Sequence, residues 1–136
     1  MKKLMKSKRG DGYIDVVIAV LVSMMLLVMA LNIFSFFTLK QDLDYFTKEM
    51  LEVATAEGRT NGEVYTRYYE LADETGIYPS YWWTADYYNL SYRSVQLGDP
   101  IKITMYCTTY VKGFGIFKIP VTLTETHSGL SEQYWK

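Results

Sequence analysis

From Val16 to Leu39 the chain carries no charged residue. A helix of these 24 residues spans about 36 Å at 1.5 Å per residue, more than the hydrocarbon core of about 30 Å. Nothing else in the sequence restricts the fold so severely, because in lipid every backbone polar group must be satisfied within the segment and a single span can only be helical. Lys2, Lys3, Lys6, Lys8 and Arg9 precede the run, whereas Lys40 is followed closely by Asp42 and Asp44. The positive-inside bias then expects a cytoplasmic N-terminus and an extracellular remainder, a single-pass cell-membrane protein. A cleaved secretory signal is the competing reading, with Val28-Met29-Ala30 as a small-residue site. Against it, LNIFSFFTL prolongs the apolar run well beyond the usual 7–15 residues of a signal core.

The helical pattern continues past the run. Leu39, Leu43, Phe46, Met50 and Val53 recur at spacings of four and three, with charged residues on the other faces. One helix from about Gly12 to about Glu57 is expected, with Gly58 as its stop. The stripe is too short for a coiled-coil seam and reads as the face that packs on the domain's own sheet. In TNGEVYTRYYELADETG a second helix is signalled: Thr60 and Glu63 form a capping-box pattern, Gly76 ends the segment, and Val64, Tyr68 and Leu71 face inward.

Strand patterning takes over from Ile77. Ile101, Ile103, Met105, Cys107 and Val111 alternate with polar neighbours, and after a GFG turn Phe117, Ile119, Val121 and Leu123 do the same. Pro120 lacks an N–H and belongs on an edge or at an irregularity. Shorter strands are expected at residues 81–87 and 91–97. The architecture is α+β: a long N-terminal helix, half transmembrane and half amphipathic, a short second helix and a small antiparallel sheet. The length suits a single folded domain, and the chain divides into a basic leader (1–10), a transmembrane helix (11–39) and an extracytoplasmic domain (40–136).

Catalytic patterns are absent. The single Cys107 and single His127 are formally a pair, but Cys107 sits on the apolar side of its strand, where a free thiol behaves as a small hydrophobe. His127 falls at the expected frayed end of its own strand. One cysteine excludes an intramolecular disulfide, and no spacing suits a metal or a phosphate cradle. Neither enzyme activity nor a cofactor is expected. The net charge is −1 and the basic residues beyond Leu39 are scattered, so no nucleic-acid partner is expected either. The stretch IYPSYWWTADYYNLSYRS is aromatic-rich; its rings fill space between sheet and helix, or else Trp82, Trp83, Tyr87 and Tyr88 form a stacking surface for a glycan or cell-wall ligand.

The leader carries one further pattern. Gly10 ends a short basic segment, Asp15 is the fifth residue after it, and the apolar helix follows at once. This resembles the class III signal sequence of type IV pilin-like proteins, which implies that a prepilin peptidase cuts between Gly10 and Asp11. The family usually has Glu where this chain has Asp15, and often Phe where it has Asp11. The tail, VQLGDPIKITMYCTTYVKGFGIFKIPVTLTETHSGLSEQYWK, is similar to that of small TadE-like pseudopilins and of a related pilin-like family in Gram-positive bacteria. The resemblance implies a structural subunit of a surface fibre, secretion or conjugation apparatus. Its partners would be other pilin-like subunits, the peptidase and an assembly platform, and its final place a surface fibre. A membrane-anchored binding module using the aromatic stretch is the alternative. The acid has a physical rationale of its own. Cleavage would create an α-amine four residues before Asp15, where an unpaired carboxylate beside lipid is costly and a neighbouring subunit's amine relieves it.

Overall fold

The computed structural model describes residues 8–113 and 117–136. The leader before Lys8 and the residues after Gly113 in the expected GFG turn lie outside the described residues. Helix α1 (Lys8–Glu57) is followed by α2 (Glu63–Thr75), β1 (Ser80–Ala85), β2 (Tyr87–Asn89), β3 (Ser94–Val95), β4 (Pro100–Gly113) and β5 (Phe117–Leu130). The α+β expectation is met. Two compact units divide the chain, one ending at Phe37 and one running Thr38–Lys136.

The first unit is the apolar half of α1. It is the one helix, among the described residues, that is long and apolar enough to cross a membrane, and none of its most hydropathic window is buried. Ser23, Asn32 and Ser35 each donate a side-chain hydrogen bond to the carbonyl four residues earlier, so these polar groups are satisfied within the helix, as a lipid environment demands.

The second unit is built around the remainder of α1. Leu43, Phe46, Met50 and Ala54 are fully buried. The expected stripe has Val53 where the structure buries Ala54; three turns of 3.6 residues beyond Leu43 fall between the two, and Val53 is half-buried. Thr47 joins the buried face, its hydroxyl donating to the Leu43 carbonyl at 2.6 Å. The helix ends as Gly58 takes φ +61° and the Arg59 N–H reaches back to the Ala54 carbonyl at 3.2 Å, a Schellman closure that needs a residue tolerant of the left-handed region. Helix α2 buries Val64, Leu71 and Ala72 and half-buries Tyr68, and Gly76 closes it with its N–H on the Ala72 carbonyl. Its start differs from expectation. The cap position is Gly62, with no side-chain cap; Thr60 is buried, its hydroxyl 2.9 Å from the Tyr87 hydroxyl, so the capping box is not formed.

A three-stranded antiparallel sheet in the order β1-β4-β5 supplies the opposite wall. Ile101, Ile103, Met105 and Leu123 are buried, with Ile101 opposite Gly129 and Ile103 opposite His127. Gly129 gives α1 its close approach, since a Cβ there would lie 2.9 Å from Thr55 Cγ2. Pro120 falls on β5, an edge strand, as its missing N–H requires. The expected burial does not extend along the whole hairpin. Strand β1 pairs only with residues 101–106, and toward the hairpin tip Val111 and Ile119 are exposed. The two expected short strands are trimmed as well: the first breaks at Asp86 into β1 and β2, and the second reduces to β3, paired with β2.

Candidate functional site

Three groupings of polar or aromatic side chains stand out among the described residues of the second unit. The first joins α1 to β5. Asp44 and Lys48, one helical turn apart, form an ion pair at 2.7 Å, and the other Asp44 oxygen lies 2.7 Å from His127 Nε2. Lys48 first, then His127, hold the Asp44 carboxyl below its ordinary value. Two residues before His127 on the same strand face stands Glu125, and one ligand atom each from Asp44, Glu125 and His127 lies within 4.8 Å of the others. His127 is therefore not at a frayed end, since β5 continues to Leu130. Nor does it meet Cys107. That residue lies opposite Leu123, four residues and about 13 Å along the strand from His127, and burial pushes its thiol up from the ordinary value.

The second grouping joins α2 to α1. Arg67 bonds Glu49 at 2.8 Å and Glu70 at 3.0 Å, with Glu74 at 3.6 Å. These carboxylates, Glu49 foremost, raise the guanidinium above its already high value. Beside this bridge the Phe46 and Tyr68 rings meet at 5.3 Å, and Tyr81 continues the cluster 5.2 Å from Tyr68.

The third is an open groove of about 540 Å³. One wall is Tyr65 of α2 and the other is Tyr81, Trp82 and Trp83 of β1; Tyr87 of β2, with Leu90 and Arg93 of the β2–β3 turn, completes it. The turn is tightly held. Asn89 Oδ1 accepts from the Ser91 N–H at 2.9 Å, the Thr60 N–H donates to the Arg93 carbonyl at 3.2 Å, and Arg93 itself takes φ +48°. Thr60 thus ties the turn by its backbone and Tyr87 by its hydroxyl. Burial raises Tyr81 above its ordinary value, so its hydroxyl stays protonated as a donor.

Of the four aromatic residues that the sequence marks as a stacking surface, Trp82, Trp83 and Tyr87 line this groove and Tyr88 does not. Trp82 lies on the outer sheet face against Tyr106, ring centres 5.5 Å apart, while Trp83 has the inner parity. Trp83 Nε1 is buried without an acceptor among the described residues. Tyr87 enters the groove, and Tyr88 lines a different hollow with Arg59, Tyr92 and Trp135. There the Arg59 guanidinium lies 4.4 Å from the Trp135 ring centre. Tyr81 and Arg93 fall within the aromatic stretch that the sequence marks, but no local pattern joins Tyr65 to them, because α2, β1 and the turn meet only after folding.

In the first unit Asp15 is exposed and has no hydrogen bond or ion pair among the described residues. The backbone of Gly10 and Asp11 is helical, within α1. A family model described as a domain of unknown function (DUF4320) matches residues 20–136. The chain belongs to that family. The DUF4320 match takes in the whole second unit and the apolar helix from Val20, and it leaves Gly10, Asp11 and Asp15 outside. No curated protein and no solved structure matches the chain.

Proposed function

We propose that this DUF4320 protein is a pilin-like structural subunit, assembled through its apolar helix into a surface fibre, secretion or conjugation apparatus. The observation that carries the reading is α1 itself. It runs unbroken from Lys8 to Glu57; its first half is apolar and unburied, and its second half supplies the central core residues of a folded domain. A simple anchor needs only the apolar half. A subunit assembled side by side in lipid needs both parts, an apolar helix to pack on its neighbours and a folded domain that follows it in the same chain. The leader ending at Gly10 supports the same reading, with Asp15 as the register-setting acid. In this reading the N-terminus is cytoplasmic, and the domain from residue 40 is extracellular.

Intact mass tests the proposal. Co-expressed with a matching prepilin peptidase, the chain should lose the leader and begin at Asp11, and replacing Gly10 with a bulkier residue should block the cut. A chain beginning at Leu31 would show cleavage after Ala30 by signal peptidase and refute the subunit reading.

A further inference from the structure

We infer that the groove between α2, β1 and the β2–β3 turn is a binding site for an anionic saccharide, a sugar chain bearing carboxylate or phosphate groups. This goes beyond assembly through α1 and stands or falls separately from it. Sugars are recognised by aromatic faces packed on their C–H surfaces together with hydrogen-bond donors and acceptors for their hydroxyls, and tyrosine and tryptophan supply both in one side chain. Aromatic residues contribute most of this groove, drawn from three different elements. Tyr81 and Trp83 also pack toward the core, but Tyr65 and Trp82 are exposed and are not needed to close it.

The charge of the lining selects among sugars. No carboxylate lines the groove, and its one ionic side chain is Arg93. Arg93 has no ion-pair partner among the described residues, in contrast to Arg67, which three glutamates surround. A guanidinium presents a planar fork of donors that matches a carboxylate or phosphate. Its carrier turn is fastened at Thr60 and Asn89, which fixes the backbone from which the charge extends. A single-stranded nucleic acid offers stacking bases too, but it calls for a row of cations along its backbone, and this groove has one.

The test uses the full chain in detergent micelles, titrated with hexameric oligogalacturonate, a short glycerol-phosphate polymer, neutral cellohexaose and oligo-dT, and read by tryptophan fluorescence and calorimetry. Saturable binding of either anionic polymer, at least tenfold tighter than cellohexaose, is expected. The polymer that binds identifies the anion as carboxylate or phosphate. Arg93→Gln should weaken it at least tenfold and erase the preference over cellohexaose, and Tyr65→Ala should weaken it with unchanged melting temperature. Tyr110→Ala, on the distal hairpin, should change nothing. The proposal is overturned if neither anionic polymer binds, if cellohexaose binds equally, if oligo-dT binds tighter than both, or if Arg93→Gln binds like the parent chain.

Discussion

Asp15 and Asp44 are both acids on one helix, and their surroundings give them opposite roles. Asp44 has two positive or donating neighbours within its own chain. A carboxyl held below its unfolded value, about 3.9, contributes stability that is complete above that value and is lost as the pH falls through the lower folded one. Asp44→Asn should therefore flatten the fall in melting temperature below about pH 4. At neutral pH it should cost no more than about 1 kcal/mol, because the pair is partly solvated. Asp15 has no partner among the described residues of its own chain, so its substitution should leave the domain's melting temperature unchanged. If a neighbouring subunit's amine is its partner, Asp15→Ala should insert normally but lose crosslinking to other subunits, a penalty on the order of 3 kcal/mol by comparison with breaking a buried pair. Asp15→Glu should retain assembly. Undiminished crosslinking of Asp15→Ala would reduce the acid to a residue among lipid headgroups.

Helix ends decide where the elements of the second unit sit. Gly58 and Gly76 both close helices with φ near +60° to +70°, so alanine at either carries a backbone penalty of about 1 kcal/mol. They differ in surroundings. A Cβ at Gly76 meets nothing, whereas one at Gly58 would lie 2.6 Å from Gln133 Cβ, in the C-terminal segment that hydrogen-bonds back onto α1 and β3. Gly58→Ala should therefore cost about 1–2 kcal/mol more than Gly76→Ala in denaturant unfolding, in the range typical of overpacking. Equal costs would mean that the tail yields freely. The distal hairpin follows a related rule: where β1 ends, β4 and β5 lack a third strand, and apolar side chains there remain exposed.

Taken whole, the molecule places its buried residues after the membrane run. Among the described residues every fully buried apolar side chain lies from Leu43 onward, and no disulfide contributes. A chain truncated to begin at Thr38 should therefore fold into a soluble monomer with a cooperative thermal transition, without added metal. Gel filtration and circular dichroism check this. A molten or aggregated product would show that the apolar half of α1 is needed for the fold as well as for anchoring.

Periodic features are legible without the structure, because each depends on residues within a few positions of one another. The uncharged run requires a helix, the four-and-three spacing carries it to Glu57, Gly58 and Gly76 end their helices, and period-two alternation marks β4 and β5. Thr60 shows the limit of such local rules. It fits a capping box by sequence, but its hydroxyl meets Tyr87, 27 residues away, and the buried partner prevails over the local one. The Asp44–His127 contact spans 83 residues, and no spacing rule reaches that far. The groove has the same origin: Tyr65, Tyr81 and Arg93 share a surface only because α2 packs beside β1 and Thr60 fastens the turn between β2 and β3. Local periodicity determines which face of an element is apolar; which faces meet, and so which side chains form a site, depends on long-range packing that only the folded chain decides.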